Sequence, residues 1–539
     1  IVPFVLFIFA VVVCVVYEFR GIPMMAPDIL TVQTATSVMG NYTFKLTFEQ
    51  YSVILVCMAF FFTFLRLHEV KVTEKRVFHI AGFIVVALGC GLFTNQIILS
   101  DFMEEHQINI RMFRPMESYQ KYGGVLTFAR SVGYAVVKKP EGYTTAKVDQ
   151  IIQEYEKKSA NEQQSTAKQY PNIITVVNET FADIKVLGDF KTNEDYMPYF
   201  HSLKKNCVTG YTYASIVGGQ TANTEFELLT GNTLGFLSAG TTAFQLYIHG
   251  QMPSLVSNLK AEGYSGNKAM HPFNPYNYNR PAVYKDFGFT DFIDKFDFPK
   301  NVKRVREYIS DEANVDRIIS EYEKNRKKTD QPFYMYNMTI QNHSPYDKDA
   351  ANFKQPIKIE SSKYDAEANR YLNLIKYSDD SLKQLTSYFE KCKEPTIILF
   401  LGDHQPRLTD EFMNKITNGQ YQTWSSEQMM KRYQVPFVIW ANYDIKEQHI
   451  EKTSMNYIQS ILTKTAGVKM TGYQRFLNEV RKEVPTITSQ GYWGKNGKFY
   501  QINDKGSPYY GIIQKYRMIQ YNMMFDKKNR RDSFFEVSK

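Results

Sequence analysis

Cysteine is scarce in this sequence: five residues in 539, of which Cys14, Cys57 and Cys90 fall inside long apolar runs. Only Cys207 and Cys392 belong to the rest of the chain, which excludes a disulfide-stapled extracellular scaffold and leaves a single Cys207 to Cys392 bond open. Lysine and arginine exceed the acidic residues, for a formal net charge of +9, yet they nowhere gather into the clustered tract that would suggest nucleic acid. The excess suits an anionic membrane surface or a polyanionic wall polymer, and equally ordinary solubility. Internal repeats and low-complexity segments are also absent.

What the chain does have is apolar length at its start. Ile1 to Tyr17, Tyr51 to Leu67 and Val77 to Leu99 are three nearly unbroken apolar runs, each close to the ~20 residues that cross a bilayer. Three membrane helices are the economical reading, with buried core helices as the competitor. The first run opens on Ile1, so a fragment lacking earlier spans is expected, and a single cleaved signal peptide does not fit three runs. Arg66, Lys71, Lys75 and Arg76 crowd the short loop between the second and third runs, whereas Glu18 to Glu49 carries only Arg20 and Lys45. The positive-inside rule then puts the short loop in the cytoplasm and everything after about Ser100 outside the cell.

Beyond this membrane region (1–100) an extracellular helical linker is expected over 101–169. Val148, Ile151, Ile152 and Tyr155 share one helix face there, and Lys157 to Gln169 is polar. A catalytic domain with a C-terminal subdomain follows over 170–539. Ile173 to Val177, Phe333 to Thr339 and Thr396 to Leu401 lack alternation and read as strands buried on both faces of a largely parallel sheet. Helical patterns between them, including Pro253 to Glu262 and Tyr371 to Lys391, make the organisation α/β.

The residues after each strand carry the chemistry, because open α/β sheets bind ligands beyond the carboxyl ends of their strands. Glu179, His343 and the pair Asp403-His404 follow the three strands, and Gly402 lets that pair turn toward one ion. Two carboxylates and an imidazole suit Mn²⁺ or Zn²⁺ rather than a soft metal. A loop salt bridge is the bland alternative for Asp403 and His404. Gly218-Gly219-Gln220-Thr221 enters an amphipathic segment that ends at Gly231, which places Thr221 where free N–H groups and the helix dipole favour an anion. Activated by the cation, its hydroxyl could attack phosphorus. Alternatively Thr221 or Thr224 is only an N-cap, with Thr224 and Glu227 forming a capping box. His343 would contact phosphate or protonate a leaving oxygen, or merely tie down its proline-containing turn.

These motifs, in this order, resemble the lipoteichoic acid synthase family, membrane-anchored members of the sulfatase and alkaline-phosphatase superfamily. The resemblance rests on Asn178-Glu179-Thr180, on Gly219 to Phe226, on Asn342-His343-Ser344-Pro345-Tyr346 and on Gly402-Asp403-His404. Tyr433 to Phe437 and Tyr516 to Tyr521 also fit it. It implies an extracellular, multi-pass membrane transferase, Mn²⁺-dependent with Zn²⁺ or Mg²⁺ as substitutes, in which Glu179, Thr221, Asp403 and His404 hold the metal. Thr221 would take glycerol phosphate from phosphatidylglycerol and pass it to a polyglycerol-phosphate or glycolipid acceptor. His343, His271, Arg280 and Tyr278 would bind substrate. The sequence departs from the pattern at Phe273, where an acidic residue is expected, and at Tyr278, where a tryptophan is expected.

A formylglycine sulfatase is disfavoured because Cys207-Val208-Thr209-Gly210-Tyr211 is not a Cys/Ser-x-Pro-x-Arg segment. A phosphoethanolamine transferase, a phosphodiesterase and a catalytically silent, membrane-tethered wall-polymer binder are the other readings.

Overall fold

The computed structural model describes residues 2–20, 23–26, short stretches between 51 and 63, 76–99, 102–105, 115–134, 137–159, 169–238, 241–360 and 366–537. It divides into two compact units, one of Ile1–Val137 with Ser238–Thr241 and one of Lys138–Leu237 with Thr242–Lys539.

The first unit is helical. It contains α1 (Val2–Arg20), α2 (Arg76–Phe93), which runs on into a π-helical turn over Thr94–Leu99, α3 (Pro115–Tyr122) and α4 (Gly124–Tyr134). Met25 and Met103 form a small cluster with Ile97, Tyr119 and Leu126. Ile84, Val85, Leu88 and Leu92 of α2 keep their apolar side chains exposed. Among the described residues no helix is long and apolar enough to cross a membrane. Most of the expected second span, the loop with Arg66, Lys71 and Lys75, and the polar stretch 160–168 lie outside the described residues.

The second unit is built on an eight-stranded sheet. Its strands are β1 (Asn172–Asn178), β2 (Cys207–Tyr213), β3 (Ser265–Met270), β4 (Asp291–Ile293), β5 (Phe333–Met338), β6 (Thr396–Gly402), β7 (Gln434–Ala441) and β8 (Gln448–Ser454). Their order across the sheet is β8-β2-β7-β6-β1-β5-β3-β4, and β7 runs antiparallel to both of its neighbours while the other pairs are parallel. The three apolar runs are thus the adjacent central strands β6, β1 and β5, each buried along its whole length. Their lack of alternation has a direct cause, since successive side chains point to opposite faces and both faces are covered. Ile173, Val177, Tyr334, Tyr336, Ile397 and Leu399 enter one core, while Ile174, Val176, Met335, Ile398 and Phe400 enter the other.

The first core is covered by α5 (Thr145–Ser159), α6 (Thr221–Thr230), α7 (Leu255–Ala261) and α8 (Arg280–Phe287). The second is covered by α9 (Asp311–Arg326) and α10 (Ala366–Phe389). The helix α11 (Met455–Thr465), with α12 (Gly472–Glu483) and α13 (Tyr510–Met524), completes the first layer. α7 starts two residues later than the apolar pattern suggests because Ser254 caps it in a box with Ser257, and α10 starts five residues earlier, at Ala366.

α5, expected within the linker, belongs to this second unit. Val148, Ile151 and Tyr155 are buried, Tyr155 packs edge-on to Phe476 at 4.7 Å, and the ion pairs Glu154–Lys515 (2.7 Å) and Asp149–Arg531 (2.6 Å) fasten the helix. Cys207 and Cys392 are both free thiols, which settles the bond left open by the sequence.

Candidate active site

The site begins with strand register. Asn178 at the end of β1 lies opposite Gly402 at the end of β6, so the chain leaves both strands at one height and sets Glu179 beside Asp403. Glycine is required at 402 because a Cβ there would lie 1.8 Å from the Phe181 carbonyl oxygen.

Glu179, Asp403 and His404 are buried and bring one ligand atom each within 4.8 Å of the others. Asp403 uses Oδ1 to accept the backbone N–H groups of Thr180 (2.6 Å) and His404 (2.7 Å), which leaves Oδ2 pointing inward without a partner. His404 Nδ1 lies 3.0 Å from the Gln405 carbonyl oxygen, which can only accept. Nδ1 therefore carries the proton and Nε2 presents a lone pair, also buried and unpartnered, 3.3 Å from Asp403 Oδ2 and 3.8 Å from Glu179 Oε1. Burial pushes the Glu179 carboxyl well above the usual carboxylate range, and the Asp403 charge pushes it further. Two orphaned acceptors and a destabilised carboxylate on one point are costly for a fold without a cation, and they fit a divalent metal with nitrogen and oxygen ligands.

Thr221 is the first residue of α6. Gly218 (φ 69°), Gly219 (φ 145°) and Gln220 (φ 65°) make the entry turn, and the Gly218 N–H donates to the Gln405 carbonyl (3.0 Å), which ties that turn to the Asp403-His404 segment. The Thr221 hydroxyl lies 3.5 Å from Glu179 Oε2, at the positive end of the helix. The capping-box alternative is corrected. Gln220 occupies the N-cap without a side-chain cap bond, the Thr224 hydroxyl turns inward to donate to the Asp403 carbonyl (2.8 Å), and Glu227 accepts from Ser215 (2.7 Å) and the Leu234 N–H (2.8 Å). Thr224 is a strut between helix α6 and the Asp403-His404 segment.

His271 and His343 repeat the tautomer of His404. Their Nδ1–H groups donate to the carbonyls of Met338 (3.0 Å) and Ser344 (2.7 Å), so Nε2 is an acceptor in both. Burial pushes His271 well below its ordinary range, and Arg280 lowers it further. Burial likewise lowers His343, to about 4. The Nδ1–H bond to the Ser344 carbonyl fastens the His343 ring to its own proline turn. Phe273 stacks on it at 6.2 Å and lies 6.0 Å from Tyr308, an aromatic face where an acidic side chain was expected.

Arg280 is held by a carboxylate of the chain itself. It is buried, with Nε and Nη2 donating to Glu225 Oε1 (3.1 and 2.6 Å), while the Tyr336 hydroxyl donates to Oε2 (3.1 Å) together with that of Tyr284. Breaking such a buried pair costs about 3–5 kcal/mol. Tyr278, half-buried at φ 59°, lays its ring 5.1 Å from the Arg280 guanidinium carbon.

Three supports were missed in the sequence. Thr180 at φ 55° donates its hydroxyl to Glu179 Oε1 (2.7 Å) while its N–H holds Asp403, a role hidden in a motif that drew attention only to Glu179. Arg306 donates to the carbonyls of Pro345 (2.7 Å), Gln341 (2.8 Å) and His343 (2.8 Å), clamping the loop that carries His343. Asp311 accepts from Asn178 (2.7 Å) and Ser378 (2.6 Å), and Asn342 donates to Asn178 (3.1 Å), which joins the ends of β1 and β5 behind the site. No local pattern marks Arg306 or Asp311, because their partners are distant in the chain.

A family model described as Sulfatase matches residues 171–468, more than half of the chain. A Rhizobium meliloti protein named as a putative cyclic beta-1,2-glucan modification protein is 30% identical over 433 residues, covering 79% of this chain and 65% of that one. The lipoteichoic acid synthase of Staphylococcus saprophyticus is 23% identical over 374 residues, 66% of this chain and 55% of that one. The chain thus spans less than two thirds of the length of these curated relatives. The Streptococcus pyogenes phosphoglycerol transferase GacH, solved with sn-glycerol-1-phosphate, shares the fold with a TM-score of 0.60 at 20% identity, over 75% of this chain and 100% of that one. The parallel sheet, the paired strand ends and the family match agree, and the chain belongs to the sulfatase family, with lipoteichoic acid synthases among its relatives.

Proposed function

We propose that this protein is a membrane-anchored, extracellular phosphoglycerol transferase that works through a covalent intermediate on Thr221. The observation that carries the reading is the Thr221 hydroxyl, at a helix N-terminus and 3.5 Å from Glu179 Oε2, beside a cluster in which Glu179 is grouped with the buried, orphaned acceptors Asp403 Oδ2 and His404 Nε2. A divalent cation held by Glu179, Asp403 and His404, with Mn²⁺ or Zn²⁺ favoured by the donor set and Mg²⁺ as a substitute, would supply positive charge for the Thr221 oxygen and the phosphoryl oxygens.

In the first half-reaction Thr221 Oγ1 bonds to the phosphorus of phosphatidylglycerol and loses its proton. The bond from phosphorus to the diacylglycerol oxygen breaks, and that oxygen leaves protonated. In the second, an acceptor hydroxyl displaces Thr221, whose oxygen regains a proton. The α6 N-terminus orients the phosphoryl group, Thr180 and Thr224 hold the carboxylate and the metal loop, and His271 and His343 accept hydrogen bonds from glycerol hydroxyls through Nε2. Threonine in place of a formylglycine precursor favours phosphoryl transfer over sulfate-ester hydrolysis.

Lipoteichoic acid synthase and GacH relatives support glycerol phosphate as the group moved, with a polyglycerol-phosphate chain or a glycolipid as acceptor. A glucan acceptor is the second reading. It is favoured by the Rhizobium relative and by Phe273, which offers an apolar face beside His343 instead of a carboxylate. The exposed apolar side chains of α2 support a membrane anchor. Labelled phosphatidylglycerol and phosphatidylethanolamine, each incubated with and without a polyglycerol-phosphate or glucan acceptor, test the proposal. Glycerol phosphate moving to either acceptor is expected. Ethanolamine phosphate transfer, or release to water at an acceptor-independent rate, would replace it with one of the superfamily alternatives.

A further inference from the structure

Among the described residues of the second unit, only two large apolar side chains stand exposed, Tyr276 and Phe296, each at 73%. They belong to the loops that follow β3 and β4, neighbouring parallel strands, and so lie at the carboxyl edge of the sheet that carries the Glu179, Asp403 and His404 cluster. The backbone under each ring is held in the same way. Asn274 Oδ1 accepts the Tyr276 N–H (3.1 Å), and Asp294 Oδ1 accepts the Phe296 N–H (2.7 Å). The loops are also joined to each other, since the His271 N–H donates to the Ile293 carbonyl (2.9 Å). From Phe296 a row of contacts leads inward. The Lys295 ammonium lies 5.0 Å from the Phe296 ring and 5.9 Å from that of Phe273, which stacks on His343 at 6.2 Å. Asn342, beside His343, donates to Asn178, the neighbour of Glu179 (3.1 Å), and the Glu179 N–H donates to Thr339 of the same loop (3.0 Å). The row therefore runs from solvent to the edge of the metal-type cluster.

We infer that Phe273, Tyr276 and Phe296 form an acceptor subsite that seats the rings of a neutral sugar chain. The inference rests on the transfer reading above and deepens it, by giving the acceptor a chemical class and a place on the loops after β3 and β4. Charge decides the class. Asp294 and Asp297 balance Lys295 and Lys300, so the turn around Phe296 carries no net charge and offers no attraction to an anionic leaflet or a polyanionic chain. A pyranose has apolar C–H faces and hydroxyl edges. Its faces lose water against the aromatic rings while its hydroxyls stay hydrated, and stiff aromatic side chains give up little freedom on binding.

The test is the binding of a neutral, linear β-linked glucohexaose to the full chain with Mn²⁺ present, beside binding to phosphatidylglycerol vesicles and to a polyglycerol-phosphate oligomer. Tyr276→Ala and Phe296→Ala are each expected to weaken glucohexaose binding about fivefold or more, while Mn²⁺, vesicle and polyglycerol-phosphate binding stay within about twofold. Both side chains are exposed, so the variants should fold as the parent does. Phe296→Leu separates a sugar from a bilayer, because an aliphatic side chain still enters lipid but offers no ring face; it should lose as much as Phe296→Ala, and Phe296→Trp should bind like the parent. A parent that does not bind glucohexaose would overturn the inference, as would parent-like binding by either alanine variant or by Phe296→Leu. Losses as large on the vesicles or on polyglycerol-phosphate would overturn it too, and would make the rim a lipid or polyanion surface. Movement of labelled glycerol phosphate from phosphatidylglycerol to glucohexaose is followed with the parent alone. Binding in the expected pattern without that movement supports the subsite and contradicts the transfer reading.

Discussion

A β-branched residue at φ 55° is strained by on the order of 1–3 kcal/mol, and Thr180 sits there between the two carboxylates of the metal group. The strain is local, and the return is that one residue orients both acids. Thr180→Gly separates these effects, since glycine adopts the angle freely and keeps the N–H on Asp403 but loses the hydroxyl on Glu179. We expect metal affinity to fall about 10–100-fold in a metal titration, the usual effect of losing a partner behind a ligand, while the thermal midpoint does not fall. Unchanged affinity would mean that the hydroxyl does not orient Glu179. Glu179, Asp403, His404 and Thr221 could be read from the sequence because each follows a strand or a glycine turn. Thr180 could not, because a positive φ is set by the hydrogen bonds closing around it, and the pairing of Arg280 with Glu225 could not, because the two lie 55 residues apart.

At the scale of elements, the site depends on β1 and β6 ending together. Gly402→Ala places a methyl group 1.8 Å from the Phe181 carbonyl oxygen, a backbone atom that cannot swing aside. The strand end must shift, with an expected cost of about 3 kcal/mol in denaturant unfolding and loss of metal binding. Retention of both would remove the argument from register. The apolar runs of β1, β5 and β6 revealed these strands because both faces are buried, whereas β3 and the three-residue β4 carry the partly exposed Lys268 and the exposed Asp291 and gave no such run.

Glu227 on α6 adds a pH dependence, because burial pushes its carboxyl from 4.5 up to about 7. The folded state then binds the proton more tightly than the unfolded chain. The stabilisation is fully present below pH 4.5 and is lost as pH rises through about 7. Compared with Glu227→Gln, which does not titrate, the parent should lose up to about 3 kcal/mol between pH 4.5 and 7.5 in paired unfolding curves. A constant difference across that range would show that Glu227 is ionised throughout.

The whole molecule comprises a helical unit with exposed apolar side chains and an α/β unit of the sulfatase family. Loop charges predict the orientation. A reporter after Ser100 should be reached by impermeant reagents in intact cells, and one within 70–74 should not. The reverse pattern would deny the site an outer-leaflet lipid. The division of the chain was legible from composition only in part, since α5 reads as linker but packs into the second unit through contacts with Phe476, Lys515 and Arg531, all more than 300 residues downstream.

The central claim is that Thr221 becomes covalently bonded to the transferred phosphoryl group. Mass spectrometry of the peptide containing Thr221, after Mn²⁺-loaded full-length protein is incubated with phosphatidylglycerol and quenched in acid, tests it directly. The account predicts a glycerol phosphate adduct on Thr221 that disappears when acceptor is added and is absent from Thr221→Ala, which should also lose turnover while retaining metal. Headgroup release by Thr221→Ala at the parent rate, with no adduct on the parent peptide, would contradict it.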